Sequence, residues 1–105
     1  MKSIPDGAVA YRRTAEFNEE NVPEVWLRPH STKRGRWAKI TVIEGQLLYV
    51  INGDSREEIR LDADHFGVVE PGVGHFVKPL GKARFYLEFY RSQFPQGTPL
   101  LNIGL

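Results

Sequence analysis

Apolar and polar residues alternate with a period of two over most of the chain, leaving little room for helix. The clearest stretch runs from Phe66 to Arg91 and reads as two or three strands. Within ARFYLEFY, alternation sets Phe85, Leu87 and Phe89 on one face and Tyr86, Glu88 and Tyr90 on the other. Glu88 thus stands between two tyrosines on a mostly apolar strand, where a carboxylate needs a cation, a donor or water. His75 closes the turn PGVGH, whose glycines let the backbone approach closely and fix the ring.

Upstream, a Pro-Asp-Gly turn leads into an edge strand carrying Val9, Tyr11 and Arg13. NEENVPEV reads as a loop or one short helical turn. Val25, Trp26 and Leu27 predict the start of a strand that Pro29 interrupts, which puts His30 just past a strand end. STKRGR is a basic loop centred on Gly35, either a solvated connection or an anion-recognition loop. WAKITVIEGQLLYVI predicts a core hairpin around a Glu44-Gly45 turn, and Asn52-Gly53 predicts a type I′ turn into the charged strand SREEIRL, with Ile59 and Leu61 inward. A turn at Asp62, Ala63 and Asp64 carries His65, read as a solvated surface histidine. Short strands separated by turns every ~8–12 residues describe an all-β sandwich or small barrel.

At 105 residues the chain is expected to form a single domain over 1–105, with a Pro/Gly-containing tail over 93–105. A net charge of +1 argues against nucleic acid and anionic membrane as partners. The absence of cysteine excludes disulfides, thiolate metal sites and cysteine nucleophiles, and fits a reducing, cytoplasmic setting. No leader-like segment or membrane-span-length apolar run is present, so a soluble protein is expected. GxSxG, P-loop, GxGxxG and HExxH motifs are all missing. Arg28, Lys33, Arg34, Arg36, Trp37 and Lys39 could form a single-strand nucleic-acid surface, but would serve as well to draw a small anion to a barrel mouth.

His30 reads as a surface residue or a metal ligand, His75 as a backbone-bonded structural imidazole or a ligand, and Glu88 as a ligand or a salt-bridge partner of Arg28 or Arg84. Together, two imidazoles and a carboxylate form a set suited to zinc, iron(II), manganese or nickel, with coordination positions left open. Glu70, on the strand before the turn, is an alternative to Glu88.

VIEGQL, followed after a charged hairpin by a Gly-x-Val-x-x-Pro segment ending in histidine, resembles the two half-motifs of the cupin superfamily. LRPHSTKRGRW, VIEGQL and the block from PGVGH to LEFY are similar to the cupin-like domain at the N-terminus of some tellurite-resistance B proteins, which also occurs alone in bacteria; the likeness covers about residues 3–92. It implies a small cupin-like β-barrel or jelly roll, the double-stranded β-helix, with any metal inside the barrel. The first motif departs from the usual pattern, since His30 stands alone, Thr32 takes the second histidine position and Trp37-Ala38 lie where a glutamate is usual. The second keeps Gly67, Pro71 and His75 in suitable order.

The resemblance implies a metal site of His30, His75 and Glu88, holding a divalent transition metal, zinc foremost, and lined by Arg28, Tyr49, Tyr86 and Tyr90. It associates the protein with tellurite or related oxyanion stress, and implies a homodimer, which the apolar residues of RFYLEFY and the tail PLLNIGL fit. The methyltransferase domain of the longer relatives has no counterpart in this sequence, so methyl transfer is not expected. Two functions compete: a binding module holding a small anionic or oxidised molecule, and a metal-dependent dioxygenase or isomerase with Tyr86 or Tyr90 as proton donor. A metal-free structural role, with His75 and Glu88 satisfying each other, is the third.

Overall fold

Two long strands carry the architecture. The computed structural model describes residues 1–92. In chain order these form β1 (Val9–Arg13), β2 (Phe17–Asn18), a 3-10 turn (Glu24–Leu27), β3 (Arg36–Asn52), β4 (Arg56–Leu61), β5 (Gly67–Val69) and β6 (Gly74–Arg91). The fold is all-β, and among the described residues no helix is long and apolar enough to cross a membrane. β3 and β6 pair antiparallel along their whole length, from Arg36↔Arg91 at one end to Asn52↔Gly74 at the other. β1 and β2 add to β6, while β5 and β4 add to opposite ends of β3. Each long strand therefore serves both arms of a jelly roll, as the cupin likeness implies.

The expected hairpin at Glu44-Gly45 is instead a bulge inside one 17-residue strand. Apolar residues continue on both sides of it, and the ladder to β6 resumes after register shifts between Val42 and Glu44 and between Gly45 and Leu47. Gly45 makes this bend possible: its φ is 79°, and a Cβ there would collide with the Lys82 carbonyl oxygen. Asn52-Gly53 does not form a type I′ turn, because neither residue has positive φ. Asn52 still pairs with Arg56, leaving a three-residue connection over 53–55.

The predicted strand at 25–27 is also corrected. Pro23 sets φ at −57° and its carbonyl accepts from the Trp26 amide at 3.0 Å, winding Glu24–Leu27 into a 3-10 turn. The edge strand, the charged strand ending at buried Leu61 and the turn at 62–65 lie where alternation and turn chemistry put them.

The core lies between the arms, built by Ala38, Ile40, Val42, Leu47, Tyr49, Leu61, Val69, Val77, Phe85 and Leu87. β5 packs tightly on it, since a Cβ on Gly67 would lie 2.8 Å from Leu61 Cδ1 and 3.2 Å from Tyr49 Cδ2. The dimer expectation drawn from the tail falls on residues outside the described ones.

Candidate functional site

His30 and His75 are 45 residues apart in sequence and neighbours in space. His30 N–H donates to the His75 carbonyl at 3.0 Å and His75 N–H donates to the His30 carbonyl at 2.8 Å, an isolated antiparallel bridge. Gly72 N–H donates to the Thr32 carbonyl at 3.1 Å, so the segment after the 3-10 turn is tied to the turn that sequence had assigned to PGVGH. The imidazole centroids lie 4.2 Å apart with an interplanar angle of 55°. Each Nδ1–H donates to the carbonyl two residues earlier, His30 to Arg28 at 2.9 Å and His75 to Val73 at 3.0 Å. Those bonds orient both rings and assign the Nδ1–H tautomer when neutral, leaving Nε2 of each without a hydrogen-bond partner among the described residues. Burial holds the His75 imidazole below the ordinary histidine range; the Val73 carbonyl opposes this and His30 adds to it.

Both rings line a cleft of about 460 Å³. Tyr11, Trp26, Leu87 and Phe89 form its apolar walls, and Thr32, Lys33 and Arg36 its polar side. The 3-10 turn places Trp26 with its ring 6.2 Å from both His30 and Phe89, and Phe17 backs it edge-on at 5.7 Å. Arg36 lies over the Tyr11 ring at 5.1 Å, and its loop is pinned by Thr32 Oγ1 donating to the Arg36 carbonyl at 2.9 Å. Among the described residues no carboxylate lines this cleft, and neither Lys33 nor Arg36 has an ion pair. Arg36 also stands directly opposite Arg91 in the ladder, a like-charge pairing that is unfavourable without an anion or solvent to screen it.

Glu88 does not join the histidines. His75, Leu87 and Phe89 line the cleft, whereas alternation turns Glu88 to the opposite face of β6, across from Lys39 and Arg13. It makes no ion pair with Arg28 or Arg84; Arg84 is held by Glu16 and Glu44. Tyr86 and Tyr90 share that outer face, Tyr86 under the Arg13 guanidinium at 3.8 Å and Tyr90 with its hydroxyl pKa raised by burial and then by Glu88, so neither adjoins the imidazoles as a proton donor. Tyr49 is in the core, its hydroxyl donating to the Val68 carbonyl at 2.9 Å and its ring edge-on to His75 at 6.1 Å; burial pushes its pKa far up. Arg28 is exposed and contributes its carbonyl to His30. Glu70 pairs with Lys2 at 2.8 Å, and His65 with Asp62 at 2.8 Å on the surface.

Among the described residues the cleft therefore offers two imidazole Nε2 atoms and no carboxylate or thiolate. Among the described residues no group of three His, Asp or Glu gathers as a metal site, so the residues present do not fit a resident metal of the three-ligand kind. STKRGR, which contains Thr32, Lys33 and Arg36, reads from sequence as a solvated connection or an anion-recognition loop, and the structure sets those three residues on the cleft. Tyr11, Trp26 and Phe89 were not read as cleft residues. Trp26 reaches the cleft through the 3-10 turn, which has no sequence period, whereas Phe89 reaches it on the β6 face that alternation assigns to it.

Residues 12–87 match the family model of the TehB-like domain. The chain belongs to that family. A TehB from Haemophilus influenzae (strain Rd), described as a probable S-adenosyl-L-methionine-dependent methyltransferase, is 33% identical to this TehB-like domain over 76 residues, covering 69% of the chain and 27% of the relative. The chain thus spans about a quarter of the length of the curated relatives it matches. The crystal structure of H. influenzae TehB superposes with a TM-score of 0.76 at 26% identity, covering 85% of this chain and 33% of that one. A protein from E. coli K12 gives a TM-score of 0.79 at 22% identity over 88% of this chain and 98% of its own. An oxalate oxidase in complex with the substrate analogue glycolate shares the fold more distantly, with a TM-score of 0.51 at 27% identity over 64% of this chain and 36% of that one.

Proposed function

We propose that this TehB-like domain is a binding module whose cleft holds a small anionic or oxidised ligand, in the context of tellurite or related toxic-oxyanion stress. The observation that carries this reading is a pair of oriented imidazoles, each with a free Nε2, in a cleft whose cations Lys33 and Arg36 have no acidic partner among the described residues. A neutral Nε2 accepts from a ligand hydroxyl, and a protonated one donates to an oxyanion. Lys33 and Arg36 supply attraction at the opening. The fold relative that holds glycolate gives a precedent for a small carboxylate in this architecture.

Isothermal titration with tellurite, phosphate and acetate tests the reading. Saturable binding of at least one anion, lost in a Lys33→Gln/Arg36→Gln double variant, is expected. Heats indistinguishable between that variant and the unaltered chain for every anion would discard it.

A second reading rests on the same two Nε2 atoms: a divalent transition metal held by His30 and His75 alone, a two-imidazole set with the remaining positions left to solvent or ligand. Elemental analysis of untagged protein against His75→Ala separates the readings. About one metal per chain, lost in the variant, selects the second.

A further inference from the structure

We infer that the cleft takes a small aromatic carboxylate, its ring held among Tyr11, Trp26 and Phe89 and its charge at Lys33 and Arg36; this rests on the anion-binding reading of the same cleft. Volume is the first argument. At about 460 Å³ the cleft falls in the range of sites that enclose a small organic molecule, whereas an inorganic oxyanion is a handful of atoms and would leave most of the space to water.

Wall chemistry is the second argument. Trp26 and Phe89 meet edge-on at 6.2 Å and Phe89 meets Tyr11 at 6.4 Å, so three rings frame one side. A bare oxyanion is attracted by Lys33 and Arg36 but gains nothing from the three rings, against which it only loses hydration. A flat apolar ring gains offset or edge contacts there instead.

The placement of charge is the third. Among the described residues the cationic lining comes from the loop before β3 and its first residue, while Tyr11, Trp26 and Phe89 come from β1, the 3-10 turn and the C-terminal half of β6. The two sets adjoin where the Arg36 guanidinium lies over the Tyr11 ring at 5.1 Å, so a ligand matching both carries its anionic group directly on a small aromatic body. Arg36 suits a carboxylate because its guanidinium offers a planar fork of donors.

Trp26 is a built-in reporter, since the other tryptophan, Trp37, can be replaced by Phe. In the 105-residue Trp37→Phe chain, benzoate, benzamide and inorganic phosphate are titrated at matched ionic strength against Trp26 emission. The inference expects benzoate to saturate with a Kd at least about tenfold below those of benzamide and phosphate. It also expects Arg36→Gln, with Lys33→Gln as a second variant, to remove the advantage of benzoate over benzamide. Phosphate binding as tightly as benzoate would overturn the aromatic-carboxylate class and leave the anion cleft standing. No saturable response to benzoate or phosphate up to about 10 mM would overturn both.

Discussion

His30 and His75 exchange two backbone hydrogen bonds, at 3.0 and 2.8 Å, and present their imidazoles 4.2 Å apart to one cleft. The bridge fixes the two backbones, and the Arg28 and Val73 carbonyls fix the two rings. A site built this way is held by main chain rather than by long side chains, so its geometry persists without ligand.

The two histidines should differ in what they contribute to stability. His75 is 4% exposed, and His75→Ala leaves a cavity beside Tyr49; a loss of about 2–3 kcal/mol is expected by urea denaturation. His30 is half-buried, and His30→Ala should cost less than about 1 kcal/mol while weakening anion binding as much. Equal destabilisation by both would contradict the burial difference.

Stability should fall as the medium is acidified through the histidine range. Burial lowers the folded-state pKa of His75 below 6.5, so between 6.5 and that lower value the unfolded chain takes up a proton that the folded chain refuses. The His75 contribution is fully present above about pH 7 and declines as pH drops through the folded pKa. His75→Asn cannot titrate but keeps an N–H for the Val73 carbonyl, and should flatten this part of the pH profile. An unchanged slope would assign it to other groups.

Glu88→Gln should leave anion binding within about twofold and any metal content unchanged, because the carboxylate faces away from the imidazoles. Steep loss of either property would mean that β6 presents its other face to the site.

Gly67→Ala places a methyl 2.8 Å from Leu61 Cδ1 and should destabilise by about 1–3 kcal/mol through overpacking. Tyr49→Phe removes the hydroxyl that donates to the Val68 carbonyl and should cost about 1–2 kcal/mol. Tyr49→Phe keeps the ring carbon that the new methyl would meet at 3.2 Å, so the two losses should add within about 0.5 kcal/mol. Thermal denaturation of the set checks both values and their additivity.

How far the sequence could be read follows from which features have a period. Alternation along β6 separated Phe85, Leu87 and Phe89 from Tyr86, Glu88 and Tyr90, and the structure keeps that division. The same alternation already placed Glu88 opposite the faces that line the cleft, but the metal assignment followed a ligand pattern instead. Gly45 looked like a turn because a glycine at positive φ serves a hairpin and a bulge alike; only the continuing partner strand decides between them. Trp26 was placed on a strand because β-branched and aromatic neighbours favour one, whereas Pro23 and the Trp26 amide close a 3-10 turn. The meeting of His30 with His75 is a long-range backbone bridge, and no local spacing encodes it.

The central claim is that both imidazoles are held in the Nδ1–H tautomer with Nε2 directed to the ligand. Long-range proton–nitrogen NMR correlation of the ring nitrogens, recorded at pH 7.5 and then through a titration with benzoate or phosphate, tests it directly. The account predicts Nδ1–H patterns for His30 and His75, Nε2 resonances of both that move together on anion addition, and a His65 pattern that stays still. An Nε2–H tautomer for either ring, or Nε2 resonances unmoved at anion saturation, would contradict it.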